Sequence, residues 1–120
     1  MYVMGTVLRH GSAAQKAAWL PRVADGSVRL QAFGVTEPDS GTDTGALRTF
    51  ARREGDRFVV SGRKIWISRI AKADFTIVMA VTDSNLGARG GITAFLVDKG
   101  TPGLVVARAI PMLAGQRTYE

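Results

Sequence analysis

The sequence predicts a mainly β fold, an antiparallel barrel or sandwich preceded by a short helical segment. Three observations carry this expectation. Residues 12–24 open on a helix-capping pattern and place Ala13, Ala17, Leu20 and Ala24 at helical spacing. From residue 28 onward, short apolar runs alternate with Gly-, Pro- and Asp-containing turns. One of those runs, residues 75–81, is almost continuously apolar, as a strand covered on both faces should be.

In the helical part, Gly11 is expected to end a first segment over residues 2–10. Ser12-Ala13-Ala14-Gln15 has the hydroxyl-then-amide spacing of a capping box. Pro21 predicts a kink or a restart, because proline lacks the amide hydrogen and its ring crowds the preceding turn. Asp25-Gly26 closes the segment, so the organisation reads as residues 1–27 helical and residues 28–120 β. Strands are expected over residues 30–35, 46–53, 57–60, 64–67, 75–81, 92–97 and 104–110. Glu54-Gly55-Asp56 reads as a tight turn, and the Gly-rich residues 85–91 as a hairpin connection. That loop lacks the G-x-G-x-x-G pattern of a nucleotide-binding turn, and no helix follows it.

Composition removes several functions. The 120 residues contain no cysteine and a single histidine, His10, so disulfides, thiolate metal sites and His-rich metal sites are excluded. The net charge of +6 is compatible with anionic partners. Its positive groups are scattered, though, and do not interleave with aromatics, so nucleic-acid binding is not expected. No apolar stretch approaches the roughly 20 residues of a membrane span. The first residues lack a signal-peptide pattern, and a cytoplasmic location is the default expectation.

The most informative stretch is Phe33-Gly34-Val35-Thr36-Glu37-Pro38, continuing to Gly41-Thr42-Asp43. An apolar run there delivers its end into a hydroxyl-lined loop. A second short element follows, Gly62-Arg63-Lys64-Ile65-Trp66-Ile67-Ser68. In order and spacing these resemble the two flavin-binding segments of the acyl-CoA dehydrogenase family. Gly11-Ser12-Ala13-Ala14-Gln15-Lys16 with Trp19-Leu20-Pro21 is similar to the end of that family's amino-terminal helical domain. Ala73-Asp74, Gly91-Ile92-Thr93-Ala94-Phe95-Leu96-Val97 and Thr101-Pro102-Gly103 continue the match.

The resemblance implies a middle β-domain that cradles FAD. Phe33, Val35, Thr36 and Thr42 would contact the isoalloxazine edge, the ribityl chain and the pyrophosphate. Trp66 would cover the ring, with Ile67 and Ser68 beside its reactive edge, and Thr42 would also reach the acyl-CoA substrate. An electron-transfer flavoprotein or similar acceptor is the implied partner. The family's base, a glutamate of a carboxy-terminal helical domain, matches neither Glu37 nor Glu120. The chain therefore reads as a fragment without turnover of its own, completed by the missing helical domain or by a second copy, with an apolar face left open.

Ordinary turn chemistry accounts for Thr36 and Thr42 about as well, and a core aromatic would account for Trp66. Trp19 reads as a packing residue, and Ser40 and Asp43 as loop caps. Two other functions compete. One is an interaction module that keeps the fold without flavin. The other rests on Asp43-Thr44-Gly45, the signature of aspartic proteases, in which two carboxylates share one proton. That motif normally ends an apolar strand, whereas here the apolar run stops at Val35.

Overall fold

The computed structural model describes residues 2–28 and 31–120. Leu30, the expected start of the first strand, lies outside them. Helix α1 spans Tyr2–His10, and the Gly11 amide donates to Val7 O at 2.9 Å. A Cβ at Gly11 would stand 2.5 Å from that carbonyl, so glycine is required where the chain turns. Helix α2, Ala13–Ala24, begins at the expected capping box. The Gln15 amide donates to Ser12 Oγ at 3.2 Å, and the Ser12 amide donates to Gln15 Oε1 at 2.9 Å.

Two helical expectations are corrected. α2 does not restart at Pro21 but runs through it as one helix. Only one turn follows the proline, and Asp25 N still donates to Pro21 O at 2.9 Å, so the loss is limited to the bond Pro21 cannot make. The inward stripe is Trp19, Leu20 and Val23, while Ala13, Ala17 and Ala24 are exposed. The larger side chains remove more apolar area from water, and this sets how the helix is rotated. Trp19 lies on Phe75 with ring centroids 4.5 Å apart, joining the core of Val3, Val7, Val28, Phe75 and Ile77.

The main sheet contains β1 (Gln31–Gly34), β2 (Phe50–Glu54), β3 (Arg57–Ser61), β4 (Phe75–Val81) and β5 (Ile92–Asp98). The β2–β3 and β4–β5 pairs are antiparallel, the first closing at Gly55 with φ +64°. β1 pairs with β4 in parallel, from Gln31↔Phe75 to Gly34↔Val78, and β2 meets β4 in parallel at Phe50↔Val81. β5 covers the whole of one edge of β4, so β1 and β2 share the other edge. Between them the chain leaves the sheet over residues 35–49. The sheet is therefore mixed rather than antiparallel, and the strands do not close into a barrel. A second, two-stranded sheet pairs β6 (Ala109–Pro111) with β7 (Arg117–Tyr119).

Three expected strands change form. Over residues 46–53 only β2 is strand, preceded by a 3-10 turn at Thr44–Ala46. Residues 64–67 form no ladder and make a single bridge, Ile67↔Tyr119. Of residues 104–110, only the end enters β6. In each case apolar residues are present, but backbone donors find partners outside a regular ladder, as Arg48 N and Thr49 N do at Glu37, Ile65 N at Thr36 O and Ala107 N at Glu120 O.

Alternate residues of β1 and β4 point to opposite faces. Phe75 and Ile77 meet the helices. Gly34, Thr76 and Val78 line an open cleft of about 900 Å³ on the other face, roofed by residues 101–107 and closed by Phe58 and Phe95, whose centroids are 5.1 Å apart. Several apolar side chains of this layer stay open to solvent, Val105 at 74%.

Gly62 passes so close to the residue before β2 that a Cβ would stand 2.6 Å from Thr49 Cα. Gly62→Ala is expected to cost about 2 kcal/mol or more in urea unfolding, because backbone must move. Gly41→Ala, where nothing lies within 4 Å, should stay within about 0.5 kcal/mol.

Candidate functional site

The excursion between β1 and β2 begins with Val35 and Thr36 and turns sharply at Glu37. Glu37 and Ser40 form an isolated antiparallel bridge, with Glu37 N donating to Ser40 O at 2.8 Å. Ser40 Oγ then donates to Asp43 O at 2.6 Å. The Asp43 carboxylate accepts from Gly45 N at 3.0 Å and caps the 3-10 turn at Thr44–Ala46. Asp43 is thus an exposed cap within a loop. The Asp-Thr-Gly run ends no strand, which removes the basis of the protease reading.

The Glu37 side chain closes the base of this loop. It is 5% exposed, and its carboxylate accepts from Arg48 N at 2.6 Å, from Thr49 N at 2.8 Å and from Lys64 Nζ at 2.8 Å. Lys64 Nζ also donates to Val35 O at 3.0 Å. One residue further on, Ile65 N donates to Thr36 O at 2.9 Å. The two sequence segments singled out above therefore lie side by side, joined by these two bonds and by the buried Glu37–Lys64 ion pair.

Burial by itself would raise the Glu37 carboxyl, but the Lys64 ammonium and the two backbone amides outweigh it and hold the group at about 2, against an ordinary 4.5. Burial also dominates at Lys64, drawing its ammonium below the usual lysine value although Glu37 pulls the other way.

The expected site residues divide by position. Phe33, at 46% exposure, stands on the face of β1 opposite the cleft. Val35 and Thr36 are half-buried at the root of the loop, and Thr42 is exposed farther out on it. Trp66 is 53% exposed and has a left-handed backbone with φ +61°; Arg69 has φ +68°. For residues other than glycine such geometry costs on the order of 1–3 kcal/mol and is held only by surrounding bonds. Ser68 is exposed in the turn between them.

Ile67 differs. Its side chain is buried with Ala32 and Ala73, and its amide donates to Tyr119 O at 2.9 Å, so it anchors the segment from inside. Among the seven expected contacts, only Ile67 lines the cleft; Phe33, Thr42, Trp66 and Ser68 are exposed, and Val35 and Thr36 are half-buried between them. No cluster of His, Asp or Glu fit to hold a metal ion occurs among the described residues, and no helix there is long and apolar enough to cross a membrane.

Sequence reasoning missed Glu37 and Lys64 as partners. The available signal was a charge set against apolar neighbours at each of two places: Glu37 after Val35-Thr36, and Lys64, next to Arg63, before Ile65-Trp66-Ile67.

Because the Glu37 pKa falls on folding, its contribution is complete above about pH 4.5 and disappears as pH drops toward 2. The shift corresponds to roughly 3 kcal/mol. Urea midpoints measured from pH 6 to pH 2 should fall through this window in the native chain. Glu37→Gln should be less stable at pH 6 and show a flatter acid profile.

The family model for the acyl-CoA dehydrogenase middle domain matches residues 32–120. The mitochondrial short-chain specific acyl-CoA dehydrogenase of Mus musculus is 41% identical over 105 residues, 88% of this chain and 25% of its own. Cyclohex-1-ene-1-carbonyl-CoA dehydrogenase of Geobacter metallireducens is 43% identical over 102 residues, 85% of this chain and 27% of its own. A glutaryl-CoA dehydrogenase from Mycobacterium smegmatis, solved in complex with FADH2, superposes with a TM-score of 0.83 at 37% identity, covering 98% of this chain and 29% of that one. The chain spans about a quarter of the length of the curated relatives it matches. With the family's middle domain matched over three-quarters of its residues and in the order its motifs run, the chain belongs to the acyl-CoA dehydrogenase family.

Proposed function

We propose that this chain is the FAD-cradling middle domain of a flavoprotein that desaturates acyl-CoA thioesters between the α and β carbons. The observation that carries the reading is the hydrogen bond from Ile65 N to Thr36 O, which brings the two flavin-type segments together. Around that joint Phe33 and Trp66 offer exposed aromatic surface, and Thr36, Thr42 and Ser68 offer hydroxyls. This set fits the cofactor: a flat ring needs an apolar cover, and its polar edge and phosphates need donors. When bound, FAD supplies the hydride acceptor.

The chain's own residues bind and orient. Trp66 covers the ring and excludes water from it. The backbone at Val35 and Thr36, with the Thr36 and Ser68 hydroxyls, fixes the polar edge. Thr42, on the exposed loop, serves the pyrophosphate and the acyl-CoA. The strained backbone at Trp66 supports a functional rather than a packing role, since a core aromatic gains nothing from it.

Neither buried glutamate is available as a base. Glu37 is committed to Lys64 and two amides, and Glu120 is bracketed by Arg63 and Arg108. The reading assigns proton abstraction to a glutamate of a carboxy-terminal helical domain, as the family resemblance implies. An electron-transfer flavoprotein or similar acceptor and a cytoplasmic setting complete the proposal. The open apolar layer around Val105 favours the second reading, an interaction module without flavin.

FAD titration separates the two. The reading expects quenched flavin fluorescence and a shifted absorbance band, with affinity about tenfold weaker in Trp66→Ala. A folded chain that leaves both flavin signals unchanged at millimolar FAD would favour the interaction module.

A further inference from the structure

Neither the Lys64 nor the Glu37 side chain is among the groups assigned to the flavin, yet every bond that joins the two segments passes through them or beside them. Lys64 Nζ holds Val35 O at 3.0 Å and Glu37 Oε1 at 2.8 Å. The same Oε1 also accepts from Thr49 N, and the other carboxylate oxygen, Oε2, accepts from Arg48 N. Thr49 O in turn accepts from Val81 N at 2.8 Å, so this chain of bonds ends in the central strand β4. The arrangement is stiff at each link. Lys64 is 11% exposed at its side chain, and its stem lies 3.5 Å from the point where a Gly34 Cβ would be.

We propose that Glu37 and Lys64 are positioning residues for the flavin surface: the buried ion pair sets the Val35–Thr36 backbone against the Ile65–Trp66 segment and holds Trp66 in its left-handed conformation. This rests on the FAD reading above and deepens it. Backbone with φ +61° at tryptophan relaxes toward ordinary geometry unless its flanks are pinned. On one flank Ile67 is pinned by its side chain in the core and by Tyr119 O. On the other, the pins are the Ile65–Thr36 bond and the Lys64 ammonium one residue before it. Releasing the ammonium leaves that flank held by the Ile65–Thr36 bond alone. The ring cover and the polar-edge backbone then lose their fixed spacing, and a rigid planar ligand meets a surface that must first be ordered.

The test uses the full chain and the variants Lys64→Met and Glu37→Gln, with the double variant Glu37→Gln/Lys64→Met. Each single variant leaves a buried charge or donor unpaired and loses stability, whereas the double variant removes both charges and recovers part of it. A purely structural role predicts that FAD affinity recovers in parallel. The positioning role predicts that it does not: the FAD dissociation constant stays about tenfold or more above the native value in all three, and the flavin absorbance band loses its shift. Without flavin, amide exchange at Ile65 should quicken about tenfold or more in all three variants while β4 and β5 amides keep their protection. Val7→Ala, which weakens the core from the helix side, is the control and should leave FAD affinity within about twofold.

Unchanged Ile65 exchange, or FAD affinity that returns with stability in the double variant, overturns the proposal. A native chain that binds no FAD overturns the function proposed above; faster Ile65 exchange would still support the ion pair as the device that fixes the two segments, and unchanged exchange would overturn that as well.

Discussion

The structure depends on one carboxylate that does the work of a strand. β1 and β2 share a single edge of β4, and between them lies a gap where the chain has left to form a loop. Backbone amides at such a gap have lost their ladder partners, and leaving them unpaired out of water would be costly. The Glu37 carboxylate accepts from two of them, Arg48 N and Thr49 N, and takes Lys64 as its counter-charge. A buried carboxylate is tolerable only when all its acceptor capacity is used and a cation is close. Here three donors meet the carboxylate, one of them the Lys64 ammonium, which is why the group stays ionised to about pH 2.

The same carboxylate explains how a loop and a poorly regular segment present a defined surface. Neither residues 35–49 nor residues 62–68 gain order from a ladder. They gain it from side chains: Glu37 below, Lys64 across, Asp43 at the outer turn and Ile67 in the core. Binding surfaces built on loops need such fixing, because backbone freedom would otherwise be surrendered at the moment of binding. The left-handed Trp66 fits this picture, since its conformation is maintained by its flanks.

Much of this was legible in the residues. The capping box, the fully covered strand β4, the hairpin turn at Gly55 and the loop between β4 and β5 follow from local chemistry, and local chemistry is what a sequence displays. The resemblance brought Phe33, Val35, Thr36 and Trp66 into view as one group, and the Ile65–Thr36 bond joins their segments. The parallel pairing of β1 with β4 was not legible, because apolar alternation reports which face is buried and not which neighbour lies beside it. The rotation of α2 was misread because alanines at helical spacing mark a possible stripe, and the larger Trp19 and Val23 decide the real one. Glu37 and Lys64 escaped notice because a single charge in a sequence looks solvated until its partner, far along the chain, is seen.

The sharing of β4 also bears on the order of assembly. Its partner β5 follows directly after a short loop, whereas β1 pairs with it across the span from Gln31 to Phe75. Closing the short loop costs less chain entropy, which favours the hairpin as the early nucleus. The segments around Val35 and Lys64 can settle only after β1 and β2 have docked on the nucleus, so a newly made chain acquires its central strands first and the surface around Thr36 and Trp66 last.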